Sequence, residues 1–149
     1  MRAPSRRWRR AGPERGSARA QSSPVTSTTR PLHTILLYAR DMRATAGFYC
    51  THFGFESTLE VVEGLIELRS TSGGANLLIH QAAKSVKLGQ VGVKLMFDVE
   101  DIEAFKQKST ASGLAFGPTH TANGYAFANA KDPDGNPVAI SSRAFRAAS

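Results

Sequence analysis

The chain has a single cysteine, Cys50, so no disulfide can close within it, and a reducing compartment, the cytoplasm, is the expected location. Long hydrophobic runs are missing too. No stretch approaches the roughly 20 apolar residues of a membrane span, and the first residues lack the apolar core of a secretory signal. Acids are almost absent from the first thirty positions, where Arg2, Arg6, Arg7, Arg9, Arg10, Arg15, Arg19 and Arg30 face only Glu14. The remaining 119 residues hold eleven bases and eleven acids, so the isoelectric point of 10.1 belongs to the tail. Residues 1–30 have no apolar periodicity and read as a disordered Arg-rich extension that cannot bury enough surface to offset its ordering. Pro4, Gly12, Pro13 and Gly16 break any amphipathic transit helix there. Contact with nucleic acid through this tail is a minor reading; an extension without function of its own, with synthesis beginning near Val25, is the expected one. With 41% apolar residues in 149, the rest of the chain can support one core.

What is present is turn chemistry. Lys131-Asp132-Pro133-Asp134-Gly135-Asn136-Pro137 lies between two short apolar runs. Asp side chains bond back to nearby N–H groups, Pro fixes φ, and Gly135 supplies φ > 0, so two strands fold onto each other here. Asn123-Gly124 marks a second hairpin just upstream. The same plan appears earlier, where Glu63-Gly64 and Gly73-Gly74 separate expected strands at residues 55–62, 65–70 and 75–80. Each trio follows an apolar strand and a helix opened by an Asp N-cap, Asp41 or Asp101. Each half therefore reads βαβββ, an internal repeat.

Alternation assigns the faces. Ile35, Leu37 and Ala39 point one way, Thr34, Leu36, Tyr38 and Arg40 the other; Val93, Leu95, Phe97 and Val99 alternate with Lys94, Met96, Asp98 and Glu100. The apolar sets should meet the helices. The first helix carries Met42, Thr45, Ala46, Tyr49 and Phe53 at helical spacing, with Phe48 beside them, up to Gly54. Cys50 falls on this helix as a small buried or half-buried side chain. The second helix carries Ile102 and Phe105 and stops at Gly113.

The elements Leu32-His33-Thr34 through Asp41, Phe48-Tyr49 with Phe53-Gly54-Phe55, Phe97-Asp98-Val99-Glu100-Asp101 and the Asp-Pro-Asp-Gly-Asn turn together resemble the glyoxalase/bleomycin-resistance (vicinal oxygen chelate, VOC) superfamily. The resemblance implies an α+β fold: two βαβββ modules form a curved, half-open mixed sheet with helices on the convex face and a ligand in the concavity. It implies a VOC domain over residues 31–145, with module one at about 31–82 and module two at about 91–145. The modules pair either within one chain or across a homodimer. Several activities share this fold, so fold alone does not name one.

Metal-dependent members of that superfamily place His and Glu ligands at matching concave positions. Counting back seven residues from each capping Asp gives Thr34 and Lys94; counting four on from Gly135 gives Ala139. An ammonium group and a methyl group there do not make a metal site. His33 stands one residue from the ligand position, which turns it to the helix face unless a bulge intervenes. His52 and His120 are expected at the surface or at loop edges. The leading expectation is a VOC protein that binds a small organic ligand without cofactor, in a cavity lined by Tyr38, His80, Lys94, Met96 and Asp98. Lys94 is expected to pair with Asp98 along the strand or with an anionic ligand. The alternative is a glyoxalase-type lyase or isomerase using His33, Glu67 and His80 with divalent Zn, Ni or Mn. The balance leans away from an enzyme.

Overall fold

The computed structural model describes residues 30–147; of the Arg-rich segment only Arg30 is among them. The elements are β1 (Thr34–Ala39), α1 (Met42–Phe53), β2 (Leu65–Leu68), β3 (Asn76–Gln81), β4 (Leu95–Asp98), α2 (Ile102–Ala111), β5 (His120–Ala122), β6 (Tyr125–Lys131) and β7 (Pro137–Ser141), followed by a 3-10 turn at Arg143–Phe145. The capping follows the sequence closely. Asp41 accepts from the Ala44 N–H at 3.1 Å and Asp101 from the Ala104 N–H at 3.0 Å, while Gly54 ends α1 in the left-handed region at φ 72°.

The repeat is visible in the strand orders, β1-β3-β2 and β4-β7-β6-β5. In each module the first strand runs parallel to the last, and the other pairings are antiparallel. The fold is thus α+β with VOC-like topology, but the strands form two open mixed sheets rather than one continuous sheet. A second departure is the strand expected at residues 55–62. Only two isolated bridges form there, Glu56 with Arg69 and Val62 with Leu65. The Ser57 and Thr58 hydroxyls accept from the Leu59 and Glu60 N–H groups, and Leu59 turns to φ 60°, so local side-chain bonds displace the ladder.

The helices cover one face of the sheets. Ile35, Leu37 and Ala39 pack with Met42, Ala46 and Tyr49 of α1, and Ile102 and Phe105 of α2 pack with Ala128, Ile140 and Phe97. Phe53 joins the two modules, stacking on Phe97 with ring centroids 4.0 Å apart. The turn at residues 132–136 is a second joint. Tyr49 donates its hydroxyl to Asp132 at 2.7 Å; Asp134 accepts from Thr45 Oγ1 at 2.6 Å and from the Arg40 N–H at 2.9 Å. Within the turn, the Asp132 carboxylate also accepts the N–H groups of Asp134 and Asn136, each at 2.9 Å.

The two sheets have four strand edges, and those of β1 and β4 have no partner strand among the described residues. The His33 and Ala39 carbonyls bond toward β3, and the Val99 N–H bonds to the Ser141 carbonyl. By alternation, the backbone groups of Leu36, Tyr38, Met96 and Asp98 face the open edges of β1 and β4.

Candidate ligand-binding site

The helix-free face of each sheet carries the residues of interest in rows set by the register. On module one the rows are Thr34 with Asn76; Leu36 with Leu78 and Glu67; Tyr38 with His80 and Leu65. Tyr38 and His80 touch edge to face with centroids 5.4 Å apart, and His80 Nδ1 bonds the Gln81 carbonyl at 2.8 Å. His33 is not on the helix face. It precedes β1, so the pleat does not fix it, and its ring bends to Thr34 Oγ1 at 2.6 Å and within 3.5 Å of Asn76 Nδ2, both on the open face.

On module two the first row is Asp98, Ser141, Phe127, His120 and the second is Met96, Ala139, Asn129. Lys94 extends the same face. Its ammonium donates to Asn129 Oδ1 at 2.9 Å, reaching from the β4 side across β7 to β6, so its partner is a neutral amide on the far strand and not Asp98. Ala139 and Ser141, on the central strand of this face, are buried at 0% and 2% exposure, whereas Met96 is 56% exposed. His120 stacks on Phe127 at 5.1 Å, Tyr125 lies 6.3 Å from Phe127, and the Arg146 guanidinium sits 5.6 Å over the Tyr125 ring. His120, Tyr125, Phe127, Asn129 and Arg146 were outside the sequence-derived set. The alternation Tyr125, Phe127, Asn129 in the strand before the turn was the signal that would have found three of them.

The five expected ligand residues divide between the sheets. Lys94, Met96 and Asp98 border a cavity of about 1030 Å³ along the open edge of β4, floored by Phe53, Phe97 and Phe105 and closed on one side by the turn at residues 70–75; Tyr38 and His80 are not among its walls. His52 also borders this cavity, with Nδ1 buried and without a hydrogen-bond partner, and burial lowers its pKa. Cys50 is half-buried, and burial raises its thiol pKa.

A divalent metal needs several N or O donors within about 2.3 Å of one point. His33, Glu67 and His80 share the open face of module one but stand in three successive rows, about 6.6 Å apart along the strands. Among the described residues no three His, Cys, Asp or Glu side chains come together. At Thr34, Lys94 and Ala139 the groups offered are a hydroxyl, an ammonium and a buried methyl. These residues do not fit the metal of the chelating relatives.

No helix among the described residues is long and apolar enough to cross a membrane. A search of curated proteins returns no match. Among solved structures, the chain is similar to TnmS3, an antibiotic binding protein from Streptomyces sp. CB03234 (TM-score 0.64, 16% identity, covering 76% of this chain and 96% of that one). It is also similar to a lactoylglutathione lyase from Agrobacterium tumefaciens (0.59, 24%, 77% and 95%) and a glyoxalase family protein from Enterococcus faecalis (0.64, 23%, 75% and 97%). Identities this low show a shared fold alone. Residues 31–140 match the family model of the Glyoxalase/Bleomycin resistance protein/Dioxygenase superfamily, and the chain belongs to that superfamily.

Proposed function

We propose that this protein binds a small organic molecule on the helix-free faces of its sheets, without a metal, as a cytoplasmic homodimer in which two copies enclose the ligand. The observation that carries the reading is the donor set. Lys94, Met96, Ala139 and Asn129 offer one cation, one amide and apolar surface, the composition of a small-molecule site and not of a chelate. TnmS3, a protein of this fold, is an antibiotic binding protein.

The dimer rests on surface physics. Leu36 (41% exposed), Tyr38 (53%) and Met96 lie on open faces beside unpaired strand edges, a combination that favours association. A two-fold pair covers the same surfaces on both copies and closes without further growth. It would also set Tyr38 and His80 of one copy opposite Lys94, Met96 and Asp98 of the other. Light scattering on the eluted protein should give twice the chain mass.

Calorimetry after chelator treatment tests the metal-free part. The native chain should bind no stoichiometric Zn²⁺, Ni²⁺ or Mn²⁺, whereas the triple variant Thr34→His, Lys94→His, Ala139→Glu should gain about one ion per chain or chain pair, with proton release. Tight metal in the untouched protein, lost on His33→Ala or Glu67→Ala, would install the lyase or isomerase reading instead. Mass spectrometry of the untagged protein should reveal a co-purifying organic mass.

A further inference from the structure

We infer that the ligand taken by the open face of module two is a flat aromatic acid, its ring carried on the Phe127–His120 stack and its anionic oxygens on Lys94. The inference rests on the small-molecule reading above and names the class of ligand for that site.

Three features of the face lead there. The first is the aromatic run. His120 and Phe127 are opposite each other on β5 and β6, with planes 30° apart and centroids 5.1 Å apart, and His120 is exposed. A flat π-system can extend this stack in the offset geometry that aromatic rings prefer, and the exposed Met96 thioether, on the other side of β7, supplies a soft apolar contact. A puckered saturated ring has no flat face to offer.

The second is the position of positive charge. The Lys94 ammonium is tethered by Asn129 with one of its three donors, which leaves two for a ligand. Lys131, two residues along β6 from Asn129, stands on the same face and is exposed. The Asn129 row lies two residues, about 6.6 Å, from the Phe127 row. That is the reach of a carboxylate attached directly to the ring plus one charge-assisted hydrogen bond of about 2.8 Å.

The third is the position of negative charge. Asp98 is in the Phe127 row, across Ser141, at the opposite end of the β4 strand from Lys94. It repels an acidic substituent from that end and so fixes the direction in which the ligand lies. Between these walls lie the small side chains of Ala139 and Ser141, 0% and 2% exposed.

The test uses three probes of similar size on the full chain: 2-naphthoate, its neutral amide 2-naphthamide, and the saturated acid decalin-2-carboxylate. Binding is followed by amide shifts in residues 94–98, 127–129 and 139–141. Naphthoate should bind, with the amide weaker by about 10-fold or more, the scale of a hydrogen bond to a charged group, and the saturated acid weaker by about 2- to 10-fold, the scale of an aromatic pair. Lys94→Met should reduce naphthoate to the level of the amide and leave the amide unchanged. His120→Ala and Phe127→Leu should weaken both aromatic probes by about 2- to 10-fold, the scale of an aromatic pair. His120 is exposed, so its variant keeps the test decisive even where Phe127→Leu does not fold. Equal binding of naphthoate and the saturated acid, or naphthoate affinity indifferent to Lys94→Met, overturns the inference and leaves the small-molecule reading standing. Failure of naphthoate to bind overturns the inference whatever co-purifies; failure of all three probes with no co-purifying mass overturns both.

Discussion

Replacing Tyr49 by Phe removes one hydroxyl from the joint between the modules, and the structure allows its cost to be worked out. Tyr49 is fully buried and its hydroxyl donates to Asp132, itself 5% exposed, at 2.7 Å. The carboxylate has three other donors: the N–H groups of Asp134 and Asn136 and the Asn136 side-chain amide at 3.1 Å. The variant therefore strips one of four donors from a buried charge, a loss of about 1.5–3 kcal/mol, and leaves a small void that places the total at the upper end of that range. With a urea slope of about 1–3 kcal/mol/M, the midpoint should fall by roughly 1–3 M at pH 7. Asp132→Ala removes all four bonds and should cost more than Tyr49→Phe. High pH supplies a second arm. Burial first, then the hydrogen bond and charge of Asp132 and the charge of Asp134, raise the Tyr49 pKa far above the ordinary phenol value near 10. A folded pKa above the unfolded one means that the stability held by the neutral phenol is complete below about pH 10 and is lost as pH rises beyond it. The gap between native protein and Tyr49→Phe should therefore narrow above pH 10. A change below about 0.5 kcal/mol at pH 7, or a gap that widens in alkali, would refute the joint.

Gly89→Ala should destabilise by about 2–4 kcal/mol in urea melts: Gly89 has φ 77°, and an added Cβ would lie 2.8 Å from the Asp134 carbonyl oxygen, a backbone atom of the same turn. Gly135→Val should cost about 1–3 kcal/mol, because φ 82° is strained for a β-branched residue; a neutral result would mean the turn tolerates another geometry. Burial depresses the His52 pKa, so its contribution to stability is present above the unfolded value near 6.5 and declines as pH falls through the folded value. His52→Gln should flatten the fall in urea midpoint between pH 7 and 5; an unchanged slope would show that other groups carry it.

The residues that set local geometry were legible without the fold. Asp41 and Asp101 as caps, Gly54 as a stop, Asn123-Gly124 and the turn around Gly135, and the alternation that sends Lys94, Met96 and Asp98 away from the helices all act within a few residues of themselves. Backbone φ preference and the period of two are properties of the chain as written. The repeat of these signals was enough to identify the superfamily. The partners were not legible, because register and packing choose them. Lys94 finds Asn129, 35 residues on, because β7 comes between their strands; His120 meets Phe127 because their hairpin turns on two residues; Tyr49 reaches Asp132, 83 residues away, because the last turn docks on α1. The segment at residues 55–62 shows the converse, since its alternating pattern is overruled by Ser57 and Thr58 bonding their own backbone. Local chemistry decided what each segment could become, and the competition between nearby and distant hydrogen bonds, settled only once both modules were packed, decided which side chains share a site.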